Sequence, residues 1–484
     1  MSTHRFSALF AAALVMAPAL ALAADKQIIS IGIGTQNTTT NTVTGGIVIK
    51  EMKLLEKYLP KTGKYKDVEW KIDWQNFTSG PPVTNGMVAG KLQIGMMGDY
   101  PLLVNGATGQ QNKGNETQLI AVIAYNAFGA GNGVVVHKDS PYYELADLKG
   151  KTVSVPFGSA AHGMMLQAMQ ERGWPDSFWN LVSQSPEVGT TNLQEKKIDG
   201  HGDFVPFAEL LPYRGFARKI FDGAQTKVPT FHGVVVRKDF ADKYPEAVVA
   251  YIRALMEAND WVRKNPKQAA QQIEQWTKIE KEVAYIFLGP GGIHTLDPTI
   301  KPRWLDTIKT AFGVLNKMGR VKEFNLDAWV NESYVRQAFK ERSQDYEAQK
   351  QTLANYDIEG KDPVCKVAVT RPKDAGEIWL AGPDGGEIVP TSSPSCTLAG
   401  IRQYEAAGRK VAVAYVFDKA LGIKVFADKA FYAVDTRDPK NPVAVPYLLK
   451  KDAEAAAAQA GGKLATYAEA LGLAATKLTV AAGK

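Results

Sequence analysis

Cysteine is nearly missing from this chain: two occur among 484 residues, Cys365 and Cys396, both late. With none before position 365 and no Cys-x-x-Cys pair anywhere, a thiolate-rich metal centre has nothing to be built from. Long apolar runs are also lacking. Beyond the first 23 residues nothing reaches the length of a membrane span. Charge of one sign is not in large excess either: 57 Lys plus Arg stand against 50 Asp plus Glu, for a net +7. The basic residues are scattered and form no run, which argues against nucleic acid as a partner. A mild positive field of this kind does help collect anions. No Ser-His-Asp, paired-carboxylate or zinc-ligand spacing stands out, so an enzyme is not expected.

What is there is a globular composition, 45% hydrophobic and 22% charged, long enough for two or three domains. Residues 1–23 read as an export signal. Arg5 lies in a short leading region, Leu9 to Leu20 form the apolar stretch, and Ala21-Leu22-Ala23 offers small residues for cleavage near Ala23. No cysteine sits at that point, so lipid attachment is not indicated. The expected location is the periplasm. In an oxidising compartment an even pair of cysteines points to one disulfide, Cys365 to Cys396; a soft-metal pair and two free thiols stay open.

The stretch that organises the rest runs from Asp147 to Gly173. Thr152 to Pro156 is strand-like, Phe157-Gly158-Ser159 turns, and Met164, Met165, Ala168 and Met169 recur at helical spacing. Strand, Gly-Ser turn and helix together aim free backbone N–H groups and the positive end of a helix dipole at a cleft, a ready anion site. An ordinary strand–helix unit with a serine cap is the plain alternative.

In chain order, Gln27 to Gly34 alternates like a strand and leads into a polar loop, Thr35 to Asn41. Val68 to Trp74 and Leu92 to Met97 read as further strands with helices between them, which predicts a parallel α/β sheet. Gly133-Val-Val-Val-His137 is nearly repeated as Gly233-Val-Val-Val-Arg237, each followed by Lys-Asp; the pair reads as the two places where the chain crosses between lobes. Helices are expected over 248–264, 266–279, 300–318 and 326–339.

Phe77-Thr-Ser-Gly-Pro-Pro82, Gly90-Lys-Leu-Gln-Ile-Gly95, Gly98-Asp-Tyr-Pro101, Val136-His-Lys-Asp-Ser-Pro141, Asp147-Leu-Lys-Gly-Lys151 and Gly158-Ser159 occur in that order. In this the chain resembles the solute-binding proteins of sulfonate, taurine and nitrate ABC importers, over residues 27–340. The resemblance implies an α/β fold, the two-lobed type II periplasmic binding protein fold, with lobe I from 27–132 and 233–340 and lobe II from 133–232. It also implies capture of a small anionic or zwitterionic ligand by lobe closure and delivery to an ABC transporter permease at the inner membrane. The protein is expected to act as a monomer without a cofactor.

From lobe I the candidate ligand-binding residues are Gln36, Asn37, Ser79, Gly80, Asp99, Tyr125 and His232. Asp99 matches the family's turn near the ligand, and it reads equally well as a helix cap before Pro101. From lobe II they are Gly158, Ser159, Ala160, His162, Phe204 and Phe207, the aromatics as a wall. His201, near another strand end, reads as structure or site. Phe204-Val205 stands where the family usually has Trp followed by a carboxylate, so a partner for taurine's ammonium is not carried over.

Residues 341–362 read as a charged linker, 363–437 as a small C-terminal α+β module and 438–484 as an Ala-rich helical tail. Within the module, Lys366 to Val369 and Glu377 to Leu380 are strand-like, Gly382-Pro-Asp-Gly-Gly386 is a hairpin turn, and Cys396 begins a helix. Tyr415-Val-Phe-Asp-Lys-Ala-Leu-Gly422 and Asp428-Lys-Ala-Phe-Tyr432 resemble the copper-binding accessory lipoproteins of nitrous oxide reductase, without their Cys-x-x-Cys or Cys-x-Met element. Two other functions follow as alternatives: a ligand- or copper-handling sensor or adaptor that uses this module, and an enzyme of the thiamine-pyrimidine synthase type.

Overall fold

In Gln27–Thr35 (β1) the isoleucines at 29, 31 and 33 fall on one face by the two-residue period of a strand, and all three are buried. The computed structural model describes residues 26–482, apart from 318, 320, 354, 436 and 438–442. The expected export segment lies outside the described residues. Val68–Asn76 (β2) and Ile94–Gly98 (β3) flank β1 in parallel, and Thr117–Asn126 (β4) follows the Asp99–Gln111 helix. The chain then crosses through 127–132. A second sheet forms from Gly133–His137 (β5), Thr152–Val155 (β6), Asn180–Ser183 (β7), Gly200–Asp203 (β8) and Ala217–Asp222 (β9), in the order β7-β6-β8-β5-β9. Returning through 223–229, Thr230–Arg237 (β10) inserts between β3 and β4. Thr295–Leu296 (β11) completes the first sheet, β11-β4-β10-β3-β1-β2.

Neither sheet is wholly parallel, contrary to the sequence reading. In the first, β10 runs antiparallel to β3 and β4; in the second, β5 runs antiparallel to β8 and β9. These are the two Gly-Val-Val-Val strands. They do not span the lobes: each lies wholly inside one sheet, directly after a crossing. The reason is reach. A short link leaving a strand's carboxyl end can enter the facing sheet only at that sheet's near edge, whereas a parallel entry needs a crossover of a dozen or more residues. The strand so reached therefore runs backwards, and, being central, is buried on both faces, as Val134 to Val136 and Val234 to Val236 are.

The first lobe carries the helices Pro245–Lys264, Pro266–Thr277, Pro302–Lys317 and Ser333–Glu341. A further helix, Lys281–Leu288, was not expected: Val283 to Leu288 is apolar and buried all round, so it carries no amphipathic period. The stretch 341–362 is no free linker. It forms the Tyr346–Lys350 helix, whose buried Tyr346 accepts from the Ile300 N–H at 3.2 Å, and Asn355 donates to the Gly292 carbonyl at 3.0 Å.

The C-terminal module pairs Gly376–Leu380 (β12), Glu387–Thr391 (β13), Val411–Phe417 (β14) and Lys424–Phe426 (β15) as β13-β12-β14-β15. The β12–β13 hairpin turns through 382–386 as its glycines suggested, but 366–369 forms no strand beyond a single Lys361–Ala368 bridge. A second small sheet joins Phe431–Asp435 (β16), Val443–Tyr447 (β17) and Lys463–Ala465 (β18). The tail is thus largely helical, as expected, with helices at Lys450–Gln459 and Tyr467–Ala482, but β17 and β18 make it part of the module. Its Ala-rich helix, Lys450–Gln459, is cut at Gly461-Gly462, because Gly462 passes so close to β16 that a Cβ there would lie 1.9 Å from the Val434 carbonyl oxygen. The Pro394–Ala406 helix packs between the two sheets, and Cys396 in its first turn is disulfide-bonded to Cys365.

The disulfide closes a loop with a sequence separation of 31 residues. Replacing both partners, Cys365→Ser with Cys396→Ser, is expected to destabilise the module by about 3–4 kcal/mol on the chain-entropy account. Hydrogen exchange in urea checks this: β12 and β14 should open at lower denaturant while β1 to β4 keep their protection.

Candidate functional site

The carboxyl ends of the parallel strands in the two sheets face each other, and the turn after β6 lies at that junction. Gly158 takes φ +81°, a backbone state that favours glycine, and a Cβ on it would sit 3.1 Å from Cγ of Pro81 in the first lobe. Ser159 caps the Ala160–Glu171 helix, its Oγ accepting from the His162 N–H at 3.2 Å. The Ser159 N–H is spent on the Pro156 carbonyl at 3.1 Å. Ala160 and Ala161, the first two residues of the helix, have no backbone acceptor among the described residues. A Cβ at Gly98 would lie 3.0 Å from that of Ala160, so the helix start abuts the first lobe. A cavity of about 60 Å³ between the lobes touches Asp99, Tyr100, Asn132, Ala160, Met164 and Thr230. His162 holds the turn: its Nδ1 accepts from the Gly158 N–H at 3.1 Å, and its ring stacks on Phe157 with centroids 4.8 Å apart.

On the first lobe, the loop after β1 is polar and buried. Gln36 is committed to its own sheet, donating to the Met96 carbonyl at 2.9 Å, and the Asn37 N–H goes to Asn76 Oδ1 at 2.8 Å. Beyond them Asn37 Oδ1, Thr39 Oγ1, Thr40 Oγ1, Asn41 Oδ1 and Thr44 Oγ1 are buried with no partner among the described residues. Asn41 Nδ2 donates to His232 Nδ1 at 3.1 Å and lies 3.0 Å from His294 Nδ1. An amide nitrogen only donates, so His232 is neutral with its proton on Nε2. That atom would lie 3.3 Å from a Cβ on Gly98, at the junction with Ala160. Burial drives His232 down to about 3, and it drives His294 well below the usual histidine value, with His232 and Lys219 adding to the effect. The sequence pointed to His232 but not to Asn41 or His294; a polar run after a strand, Thr38 to Asn41, was the available signal.

Ser79 and Gly80 open the Gly80–Val88 helix, and Ser79 makes no side-chain cap bond there. Asp99 is buried and serves its own lobe, accepting from the Tyr100 N–H at 2.6 Å and the Phe231 N–H at 3.4 Å. Burial lifts its carboxyl to about 6. Asp99 is the first residue of its helix; the cap position falls on Gly98, and no side-chain cap bond is made there. Tyr125 is no cleft residue: it is 1% exposed and packs against Trp304 with centroids 4.5 Å apart, in the core behind β4. A strand's two-residue period explains this, since Tyr125 and its partner Phe231 point away from the face that carries His232.

Phe204 and Phe207 are buried and meet edge-on, centroids 6.0 Å apart, in the loop and helix that follow β8. Beneath them lies an array the sequence reading missed. Ser154 Oγ is 2.7 Å from His201 Nδ1, and His201 Nε2 is 2.9 Å from Asp203 Oδ2. All three residues are fully buried, and Gly189 seals the ring, a Cβ there lying 2.1 Å from it. No substrate can reach this serine. The array instead fixes the loop, since Asp203 Oδ1 accepts the Phe204 N–H at 2.8 Å. In the module, Asp362 lies near both cysteines. The two sulfurs are bonded to each other, and the carboxylate is occupied by the N–H groups of Val364, Cys365 and Ser392 and the Ser392 hydroxyl. That trio has no free ligand set for an ion in this state.

Residues 25–277 match the model of the NMT1-like family. Over 213 residues the chain is 30% identical to the taurine-binding periplasmic protein of Escherichia coli (strain K12), covering 43% of this chain and 63% of that protein's length. Among solved structures, the alkanesulfonate-binding protein SsuA from Xanthomonas axonopodis pv. citri, bound to MOPS, superposes with a TM-score of 0.53 at 18% identity, over 63% of this chain and 98% of its own. The periplasmic nitrate-binding protein NrtA from Synechocystis PCC 6803 does so with a TM-score of 0.51 at 15% identity, over 69% and 94%. At these identities the structural likeness speaks for the fold. Among the described residues no helix is long and apolar enough to cross a membrane.

The buried histidine gives a pH signature. Because His232 titrates near 3 when folded and near 6.5 otherwise, the unfolded chain binds the extra proton between those values. Stability from this group is complete above about 6.5 and is lost as pH falls. Asp99, raised from 3.8 to about 6, works in the opposite sense, so the parent's net slope mixes the two. The difference between parent and His232→Asn isolates the histidine. Between pH ~4 and ~6 the variant's stability, from urea titrations, should rise less steeply with pH, by about 1.4 kcal/mol per unit.

Proposed function

The chain belongs to the NMT1-like family, and from that premise we propose that it is an exported receptor that closes on a small organic anion, of the sulfonate class, and presents it to an ABC permease at the inner membrane. The observation that carries this reading is the start of the Ala160–Glu171 helix. Two adjacent amides without acceptors, at the positive end of a 12-residue helix, are held against the opposite lobe. Donors so placed suit an anionic oxygen, and the dipole adds about 0.3–2 kcal/mol to their hydrogen bonds. The neutral His232 with its proton on Nε2 and the unpartnered hydroxyls of Thr39 and Thr40 supply further donors from the first lobe. The relative named for taurine binding supports the ligand class.

The same geometry favours an alkyl over an aminoalkyl tail. Phe204 and Phe207 are apolar, Val205 brings no carboxylate, and the Asp99 oxygens are taken up by backbone N–H groups of their own lobe. An ammonium would find no free acid there. Binding without turnover fits the sealed state of the Ser154–His201–Asp203 array. The receptor is proposed to work as a monomer in the periplasm, with no cofactor.

Calorimetric titration with ethanesulfonate, taurine, nitrate and acetate tests the reading. Ethanesulfonate should bind most tightly, and absence of heat with all four would sink it. Ala160→Pro is the sharper variant: proline is tolerated at the first helical position and removes one amide donor while leaving the helix intact. The expected cost is about tenfold in affinity for ethanesulfonate, with circular dichroism unchanged.

A further inference from the structure

We propose that a second ligand site lies where the C-terminal module meets both lobes, and that it takes an organic monocation with an apolar body. The cavity there measures about 310 Å³, far roomier than the gap between the lobes. Its walls are largely apolar, with Pro212 from the second lobe, Ile286 from the Lys281–Leu288 helix, and Val425, Phe426, Phe431 and Tyr467 from the module. At this size, with a few convergent polar groups, it has the form of a small-molecule site.

The polar group that selects the ligand is Glu209, in the first turn of the Phe207–Tyr213 helix. It is 7% exposed. Its Oε1 pairs with the Lys219 ammonium, while Oε2 is buried with no partner among the described residues. Lys219 is shared, since its Nζ also donates to Asp222 Oδ2 at 2.8 Å. One ammonium therefore serves two carboxylates, and an acceptor is left over in a dry place, an arrangement that costs free energy until a donor arrives. The other charges around the cavity have partners of their own, among them Lys138, which pairs with Asp139 at 3.4 Å. Lys424 is bound to Glu377 and to the Pro290 carbonyl at 2.9 Å. Arg218 donates to the carbonyls of Lys138, Ser140 and Tyr142 and stacks over Tyr143. Lys429 pairs with Asp428 at 2.7 Å. An ammonium on an apolar stem meets both demands at once, charge at Glu209 and rings or alkyl chains along the walls.

The test uses the full chain and phenethylamine as probe, with 3-phenylpropionate as its counterpart of opposite charge, at about pH 8, where the Glu209 carboxyl, lifted by burial to about 7, is ionised. Calorimetry should show the amine binding and the acid not, and Glu209→Gln should weaken the amine by at least tenfold. Ethanesulfonate at saturation should leave the amine's binding in place, because the two sites are separate. Hydrogen exchange on the unaltered protein supplies an independent reading, with amine-dependent protection expected over 207–219 and 424–431. No binding of the amine, equal binding of the acid, undiminished affinity in Glu209→Gln, competition by ethanesulfonate, or protection at the β1 and β6 loops instead would each overturn the proposal.

Discussion

Two short crossings govern this structure. Because 127–132 and 223–229 are too short to reach the far end of a sheet, the chain must enter each new sheet from the edge it has just left. That forces β5 and β10 to run against their neighbours, and it turns the carboxyl ends of β1, β3, β6 and β8 toward one another. Helices that follow those strands start in the gap, so their unpaired amides and positive dipole ends collect there. The surplus of unpaired amide donors at the junction is thus a consequence of topology before any side chain is chosen.

Side chains then sharpen it. A buried hydroxyl or amide oxygen without a partner is costly, and most proteins leave few of them. Here Asn37, Thr39, Thr40, Asn41 and Thr44 place five such atoms in one loop. Asn41 also fixes the state of its neighbours: by donating to His232 Nδ1 it holds that ring neutral, a state that burial reinforces. Asp99 borders the gap but is turned onto backbone N–H groups, and His162 is turned onto its own turn.

The local signals in the sequence were those with short period. Strand β1, the Gly-Ser turn, the serine cap at 159 and the 382–386 hairpin depend on neighbours within a few residues, and could be read directly. Pairing choices could not. The Gly-Val-Val-Val repeat was visible, but that both copies run antiparallel follows from the length of the preceding link and the direction of sheets not yet known. Tyr125 and His232 sit on adjacent strands, and only the register, Tyr125 against Phe231, decides which face each takes. The Lys281–Leu288 helix escaped because it is buried on all sides and shows no stripe. Ser154, His201 and Asp203 escaped because 47 residues separate the serine from the histidine, and only the β6–β8 pairing brings them together.

The module adds a mechanical constraint that the lobes alone would not have. Toward the first lobe it is held by buried polar bonds: Tyr285 donates to Glu377 Oε1 at 2.7 Å, Tyr415 to the Glu282 carbonyl at 2.9 Å, and Lys424, paired with Glu377 inside the module, to the Pro290 carbonyl at 2.9 Å. Breaking these would strand charged and polar groups in a dry interface. Toward the second lobe the contacts include ring pairs, Tyr213 with Phe426 and Tyr143 with Phe431, the Lys450 ammonium over the Tyr143 ring and the exposed Lys451–Glu144 pair. Exposed pairs contribute little and ring edges release at modest cost. Were the lobes to part, the second set would break before the first, and the module would travel with the first lobe. The cavity beside Glu209 draws its walls from both sides of that seam. It is complete only while the lobes are together, and a molecule held there would stabilise closure by the same contacts that bind it.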